Sequence, residues 1–182
     1  ECLFVEYYYG KEAGSAYARG LRKGIHNTKT IIGKYDVNNE GSGDMYPKGA
    51  NMLHTLRQIV NDDEKWRTIL RGLNSTFYHQ TVTNKQIEDF LSQAIDLDLK
   101  PFFDQYLRDI RIPTLKYKFK DNTLSYRWIN CVTGFNIPVK VTLNGKEEWL
   151  KPQAEWTYLP QIAKDLKVEV DKDFYVNVED SK

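Results

Sequence analysis

Histidine is scarce in this chain: His26, His54 and His79 stand far apart. No two of them share a helical face, so the sequence lacks the paired imidazoles that a helical zinc site requires. Cysteine is rarer still. Cys2 and Cys131 fall in parts of different character, and two such residues neither make a metal cluster nor settle the redox compartment. Charge of one sign is not in excess either, with 26 Lys and Arg against 25 Asp and Glu and a formal net charge of +1. That balance leaves no footprint for nucleic acid or another polyanion. No apolar run approaches the ~18 residues of a membrane helix, so no membrane segment is expected. Asn74-Ser75-Thr76 is a formal glycosylation sequon, a tripeptide that also arises by chance.

What is present divides by hydrophobic period. At 182 residues the chain can hold one domain or two small ones. Leu3 to Tyr9 is almost wholly apolar, as in the tail of a buried helix. Lys11 to about His26 places Ala13, Ala16, Tyr17, Gly20, Leu21 and Gly24 at helical spacing, with a small face suited to close packing. Asn27 to Gly43 is polar and glycine-rich and reads as a long loop. A helix then runs from Pro47 to about Val60. Asn61 and Glu64 resemble a capping pair for a helix reaching about Tyr78, with Asp62 and Asp63 in its first turn. Thr83 and Gln86 form a clearer capping box before Ile87, Phe90, Leu91 and Ala94. Asp98 can cap a last helix over Leu99 to Arg108, burying Phe102, Phe103, Tyr106 and Leu107.

After Pro113 the period becomes two. Leu115, Tyr117 and Phe119 alternate with lysines, and Leu124, Tyr126 and Trp128 follow. Val139, Val141 and Leu143 lead into Asn144-Gly145, a tight hairpin signal. Trp156 and Tyr158, Val168 and Val170, and Phe174, Val176 and Val178 complete about seven short strands, the pattern of a β-sandwich. The fold class expected is therefore α+β in two segregated parts: a helical lobe over residues 1–110, then an antiparallel β-sandwich over 114–182.

The candidate site lies at the start of the third helix. Gly43-Asp44-Met45-Tyr46-Pro47-Lys48-Gly49-Ala50 runs directly into Asn51-Met52-Leu53-His54-Thr55-Leu56-Arg57. Proline suits the first helical position and biases its predecessor toward extended backbone. Tyr46 is thus expected, extended, at a helix entrance of positive potential, with Gly49 and Ala50 keeping the first turn slim. A phenol there can donate a hydrogen bond to a developing oxyanion. Packing at a helix start is the plainer alternative for such a tyrosine. Lys48 could neutralise a carboxylate or serve the structure alone. His54 is either a hydrogen-bonded helix histidine or turned toward the site, and Glu6 is paired or solvent-facing.

Tyr46-x-Lys48-Gly49-Ala50 with Leu53-x-x-Leu56-Arg57 resembles the segment carrying the catalytic tyrosine in zinc aminopeptidases of the aminopeptidase N type, the gluzincins. Glu6-Tyr7-Tyr8-Tyr9-Gly10 is similar to the helix end that follows their third zinc ligand. Phe102-Phe103-Asp104-Gln105-Tyr106-Leu107 is similar to their late helix, and Ile112-Pro113-x-Leu115-x-Tyr117 to the crossing into their next β-domain. The likeness spans residues 1–119. It implies that Tyr46 is the catalytic tyrosine, that peptides are the substrate, and that zinc is the cofactor. The zinc ligands would lie upstream of residue 1, because neither a His-Glu-x-x-His motif nor the Gly-x-Met-Glu-Asn-type segment occurs in the chain. It also implies a missing N-terminal half as partner, with this chain inactive alone. A periplasmic or extracellular setting is preferred to a cytoplasmic one. Two alternatives remain open: a non-catalytic scaffold member of the same family, and a free-standing binding module using the exposed sandwich face.

Overall fold

Turn and cap chemistry sets the boundaries of every long helix. In the computed structural model, which describes residues 1–34, 37–39, 41–160 and 167–181, helix α1 spans Cys2–Tyr9 and α2 spans Lys11–Gly20. Gly10 separates them at φ 89°, a conformation that favours glycine. Gly14 lets α2 lie against α1, since a Cβ there would sit 2.8 Å from the Glu6 Cβ. The helical pattern expected to reach His26 changes at Leu21 into a 3₁₀ turn, Leu21–Gly24.

Helix α3 spans Pro47–Val60, with proline at its start. Asn61 ends it in the left-handed conformation, and the capping of the next helix falls to Asp62 instead. The Asp62 carboxylate accepts from the backbone N–H groups of Glu64 and Lys65, both at 2.9 Å. Two adjacent residues competent to cap compete here, and the acidic one takes the role. Helix α4 spans Asp63–Thr76, α5 spans Asn84–Ile95 and α6 spans Lys100–Arg108. The Thr83–Gln86 capping box forms in full.

Seven strands follow: β1 (Thr114–Lys120), β2 (Thr123–Ile129), β3 (Val139–Leu143), β4 (Lys146–Leu150), β5 (Thr157–Leu159), β6 (Val168–Val170) and β7 (Asn177–Asp180). They form two sheets, ordered β5-β2-β1-β7 and β4-β3-β6. The pairings are antiparallel except β1 with β7, where the returning chain runs parallel to β1. Asn144 and Gly145 both have positive φ and close the β3–β4 hairpin. The α+β reading therefore holds, helices first and sheets after. Phe174, expected on a strand, is instead buried in the turn before β7.

The core is one continuous cluster across both parts. Leu56, Trp66, Phe102 and Phe103 from the helices join Leu115, Trp128 and Val139 from the sheets. The aromatic helix α6 is the joint. Its Tyr106 is fully buried and donates through its hydroxyl to the Tyr175 carbonyl at 2.8 Å. Gln105, also fully buried, donates to the Arg111 carbonyl at 2.8 Å and accepts from the Val132 N–H at 2.7 Å. One glutamine thus ties the crossover from helix to sheet to the loop that follows β2. No described helix is long and apolar enough to cross a membrane.

Helix α1 departs from the expectation of burial. None of its residues is buried, and Tyr7 is 82% exposed, with Leu3, Phe4, Tyr8 and Tyr9 also open to solvent. Glu6 tethers it to α3, receiving two bonds from Arg57, at 2.5 and 2.8 Å. Arg57 also donates to Asp63, which accepts from Lys11. This network ties α1, α2, α3 and α4 together.

Candidate functional site

The corner that carries Tyr46 is fixed by a buried carboxylate. A short 3₁₀ turn, Gly43–Met45, precedes α3, and the Ser42 hydroxyl accepts from the Asp44 N–H at 3.2 Å. Asp44 is 2% exposed. Its carboxylate reaches across to the segment after α2 and accepts from the N–H groups of His26, at 3.1 and 3.2 Å, and Asn27, at 2.6 Å. Charge-assisted bonds of this kind are the strong ones. The long loop between these points is therefore closed at its base.

Helix α3 continues the same logic with a buried polar stripe. Lys48 is buried and its Nζ donates to the Asp109 carbonyl at 2.8 Å, where α6 gives way to the crossover. Burial pushes the Lys48 ammonium below the ordinary lysine range, and the Asp44 and Asp109 carboxylates oppose that shift. Asn51, fully buried, donates to the carbonyls of Ala18 and Pro47 at 2.9 and 3.0 Å and accepts from Arg22 at 2.7 Å. Thr55 accepts the Tyr175 N–H at 2.9 Å. Lysine, asparagine and threonine at positions 48, 51 and 55 thus form one face, at helical spacing.

Tyr46 sits on top of this scaffold. It adopts helical backbone, φ −77° and ψ −63°, rather than the extended conformation expected before proline. The preceding 3₁₀ turn feeds directly into α3, and this continuity overrides the proline bias, which is a preference and not a prohibition. The Tyr46 carbonyl accepts the Ala50 N–H at 3.0 Å, so its backbone is locked into the first turn. Its side chain is 77% exposed. A tyrosine packed at a helix start would be covered, and this one is not. Gly49 has open space around the position of a Cβ, so the first turn of α3 is slim there.

One turn further on, Ala50 opens a mainly apolar cleft of about 260 Å³ between α1, α3 and α4, lined also by Cys2, Leu3, Leu53, Trp66 and Leu70. His54 borders this cleft, but its Nε2 lies 3.4 Å from the Asp173 carboxylate, an ion-pair separation without a formed hydrogen bond. Arg19 pairs with the same carboxylate. Burial pushes the Asp173 carboxyl up, yet His54 and Arg19 more than reverse this and leave it well below the usual carboxylate range. His54 thus joins a link between the helices and the sandwich.

The remaining candidates separate. His26 has its backbone bound to Asp44, and His79 lies in the turn after α4 at φ 52° with its ring 4.1 Å from that of Tyr78. Among the described residues no group of His, Cys, Asp or Glu is arranged to hold a metal ion. Cys2 and Cys131 are free thiols whose ionisation burial pushes up, which disfavours the nucleophilic thiolate. Sequence reasoning passed over Asp44 as the pin of the corner. The available signal was its place, two residues after a serine and immediately ahead of the helix start.

A scan against protein-family models and a search of curated proteins find no match to the chain. Among solved structures, the fold is similar to that of Legionella pneumophila aminopeptidase A, crystallised in complex with aspartic acid, with a TM-score of 0.64 at 14% sequence identity. The superposition covers 100% of this chain and 22% of the Legionella chain. At that identity the likeness is one of fold. This chain has an aminopeptidase-like fold and spans less than a quarter of the length of that structural neighbour.

Proposed function

We propose that this chain is the C-terminal part of a zinc-dependent aminopeptidase of the aminopeptidase N (gluzincin) type, and that Tyr46 stabilises the oxyanion formed when a peptide bond is attacked. The observation that carries the reading is a contrast in one corner. Asp44, Lys48 and Asn51 are buried and bonded, whereas Tyr46 among them is left 77% exposed on a locked first turn. A rigid backbone presenting a phenol to an open approach is what a preorganised hydrogen-bond donor needs. Similarity of fold to an aminopeptidase supports the class.

The zinc ligands in this proposal lie upstream of residue 1; among the described residues no group of His, Cys, Asp or Glu is arranged to hold a metal ion, and no step is routed through the metal. The part assigned to this chain is narrower. Tyr46 donates its hydroxyl hydrogen to the developing oxyanion, α3 holds the phenol in place, and the cleft beginning at Ala50 forms part of the wall beside it. In the full-length protein, Tyr46→Phe should lower kcat by ~10²–10³ while metal content and melting temperature stay unchanged. Near-full turnover of that variant would remove Tyr46 from the mechanism. A scaffold role without catalysis is the second reading, and the open aromatic face of α1 favours it. A full-length sequence lacking His-Glu-x-x-His would decide for the scaffold.

A further inference from the structure

The outer face of the four-stranded sheet carries a charge pattern that neither the core nor the Tyr46 corner uses. Alternation along β1 puts Lys116, Lys118 and Lys120 on one face. The register sets Arg127 of β2 beside Lys116, and Ser125 beside Lys118. Tyr158 of β5 lies next to Ser125, and is exposed. The opposite face holds Leu115, Leu124, Tyr126 and Trp128 in the core. Trp156 also belongs to the outer side. Lys118 Nζ and the Arg127 guanidinium carbon each lie 4.6 Å from the centroid of its ring. One indole therefore holds two cations in place.

Two facts set this patch apart from an ordinary solvated face. The chain is almost neutral, 26 cations to 25 anions, so four basic side chains gathered on one face are a segregation of charge. Among the described residues only Lys116 is neutralised, by Glu179 at 2.5 Å, while Lys118, Lys120 and Arg127 have no carboxylate at ion-pair distance.

The geometry points to an acidic, extended peptide segment of a partner protein as the occupant of this face, its alternate carboxylates meeting Lys118 and Lys120 with Arg127 alongside. Alternate side chains of an extended strand repeat every ~6.8 Å, the same repeat in β1 and in a peptide laid along it. Trp156 is already engaged by two cations, so it is not free to stack on a nucleic-acid base or a sugar ring. Glu179 repels carboxylates at the Lys116 end and confines the contact to the Lys118–Lys120 half. This inference does not depend on the peptidase reading.

The test uses the 182-residue chain and a fluorescein-labelled decapeptide of alternating Glu and Thr, followed by fluorescence anisotropy. Binding should be measurable at ~50 mM salt and weaken strongly at ~300 mM, where the screening length falls below ~8 Å. Lys118→Glu with Lys120→Glu should weaken binding at least about tenfold. Trp156→Leu should weaken it about threefold with no change in charge. Lys85→Glu on α5 should change nothing. Absence of binding at low salt, or indifference to the double substitution, would overturn the proposal. Tighter capture of oligothymidylate or of phosphatidylserine vesicles than of the peptide, through the same lysines, would overturn it equally.

Discussion

Replacing Asp44 by alanine tests whether the corner that presents Tyr46 is held from beneath. The substitution removes the acceptor for two backbone N–H groups, those of His26 and Asn27. Hydrogen bonds to a charged group contribute ~1.5–3 kcal/mol each, and part of that returns when water reaches the freed donors. His26 is exposed and its N–H rehydrates, whereas Asn27 is half-buried. Lys48 loses a nearby compensating charge while remaining buried. The sum is a loss of about 2–3 kcal/mol. For a chain of this size each kcal/mol lowers the melting temperature by ~2–4 °C, so Asp44→Ala should melt ~5–10 °C below the parent.

Two comparisons make the measurement discriminating. Asp62→Ala removes an exposed helix cap and should cost about 1 kcal/mol, or ~2–4 °C. Tyr46→Phe should stay within ~0.5 kcal/mol of the parent, since the phenol is exposed and makes no hydrogen bond among the described residues. Far-UV circular dichroism melting of the four proteins reads the order directly. If Asp44→Ala melts within ~2 °C of the parent, or if Tyr46→Phe falls as far as Asp44→Ala, the division between a structural pin and a presented phenol is wrong.

Asp173 should make the molecule acid-sensitive. A carboxyl whose folded pKa is depressed binds fewer protons folded than unfolded, so its stabilisation is full above the unfolded value near ~3.9 and is lost as pH falls further. Asp173→Asn should therefore be less stable than the parent at neutral pH and show a shallower loss below pH ~4 in denaturant titrations; equal slopes would refute the link. The open side of α1 should make the 182-residue chain associate with itself as its concentration rises, and Leu3→Ser with Phe4→Ser should reduce that in sedimentation velocity. A monomer unaffected by concentration would show that the face is well solvated.

Local chemistry was legible in the sequence wherever a signal and its consequence lie within a few residues. Thr83 and Gln86 close a box three residues long, Asn144-Gly145 closes a two-residue hairpin, and Pro113 marks the change of period that separates helices from strands. The errors arose where two local rules compete, or where a partner is distant. Asn61 and Asp62 both suit a cap, and the left-handed turn at Asn61 settles the contest. The proline bias on Tyr46 yields to a 3₁₀ turn that runs into the helix. The importance of the 171–175 turn could not be read at all, because Thr55, Tyr106 and Arg19 reach it from far along the chain. The position of Tyr46 was legible; its exposure became visible only with the fold.

The polar stripe of α3 explains why this corner has one geometry. An apolar face would seat the helix by shape alone, and several small rotations or slides would satisfy it almost equally. Lys48, Asn51 and Thr55 each have a named partner on a different element: the α6 exit, the end of α2, and the turn before β7. A buried polar group is costly when unpaired, so a rotation or slide that breaks one bond penalises every alternative seating. Three such constraints, at three points along the helix, fix its azimuth and its height together. Tyr46 begins that helix, so its phenol inherits a position defined against both the helices and the sandwich. Weakening any one of the three bonds should therefore loosen the corner more than the loss of one hydrogen bond alone would suggest.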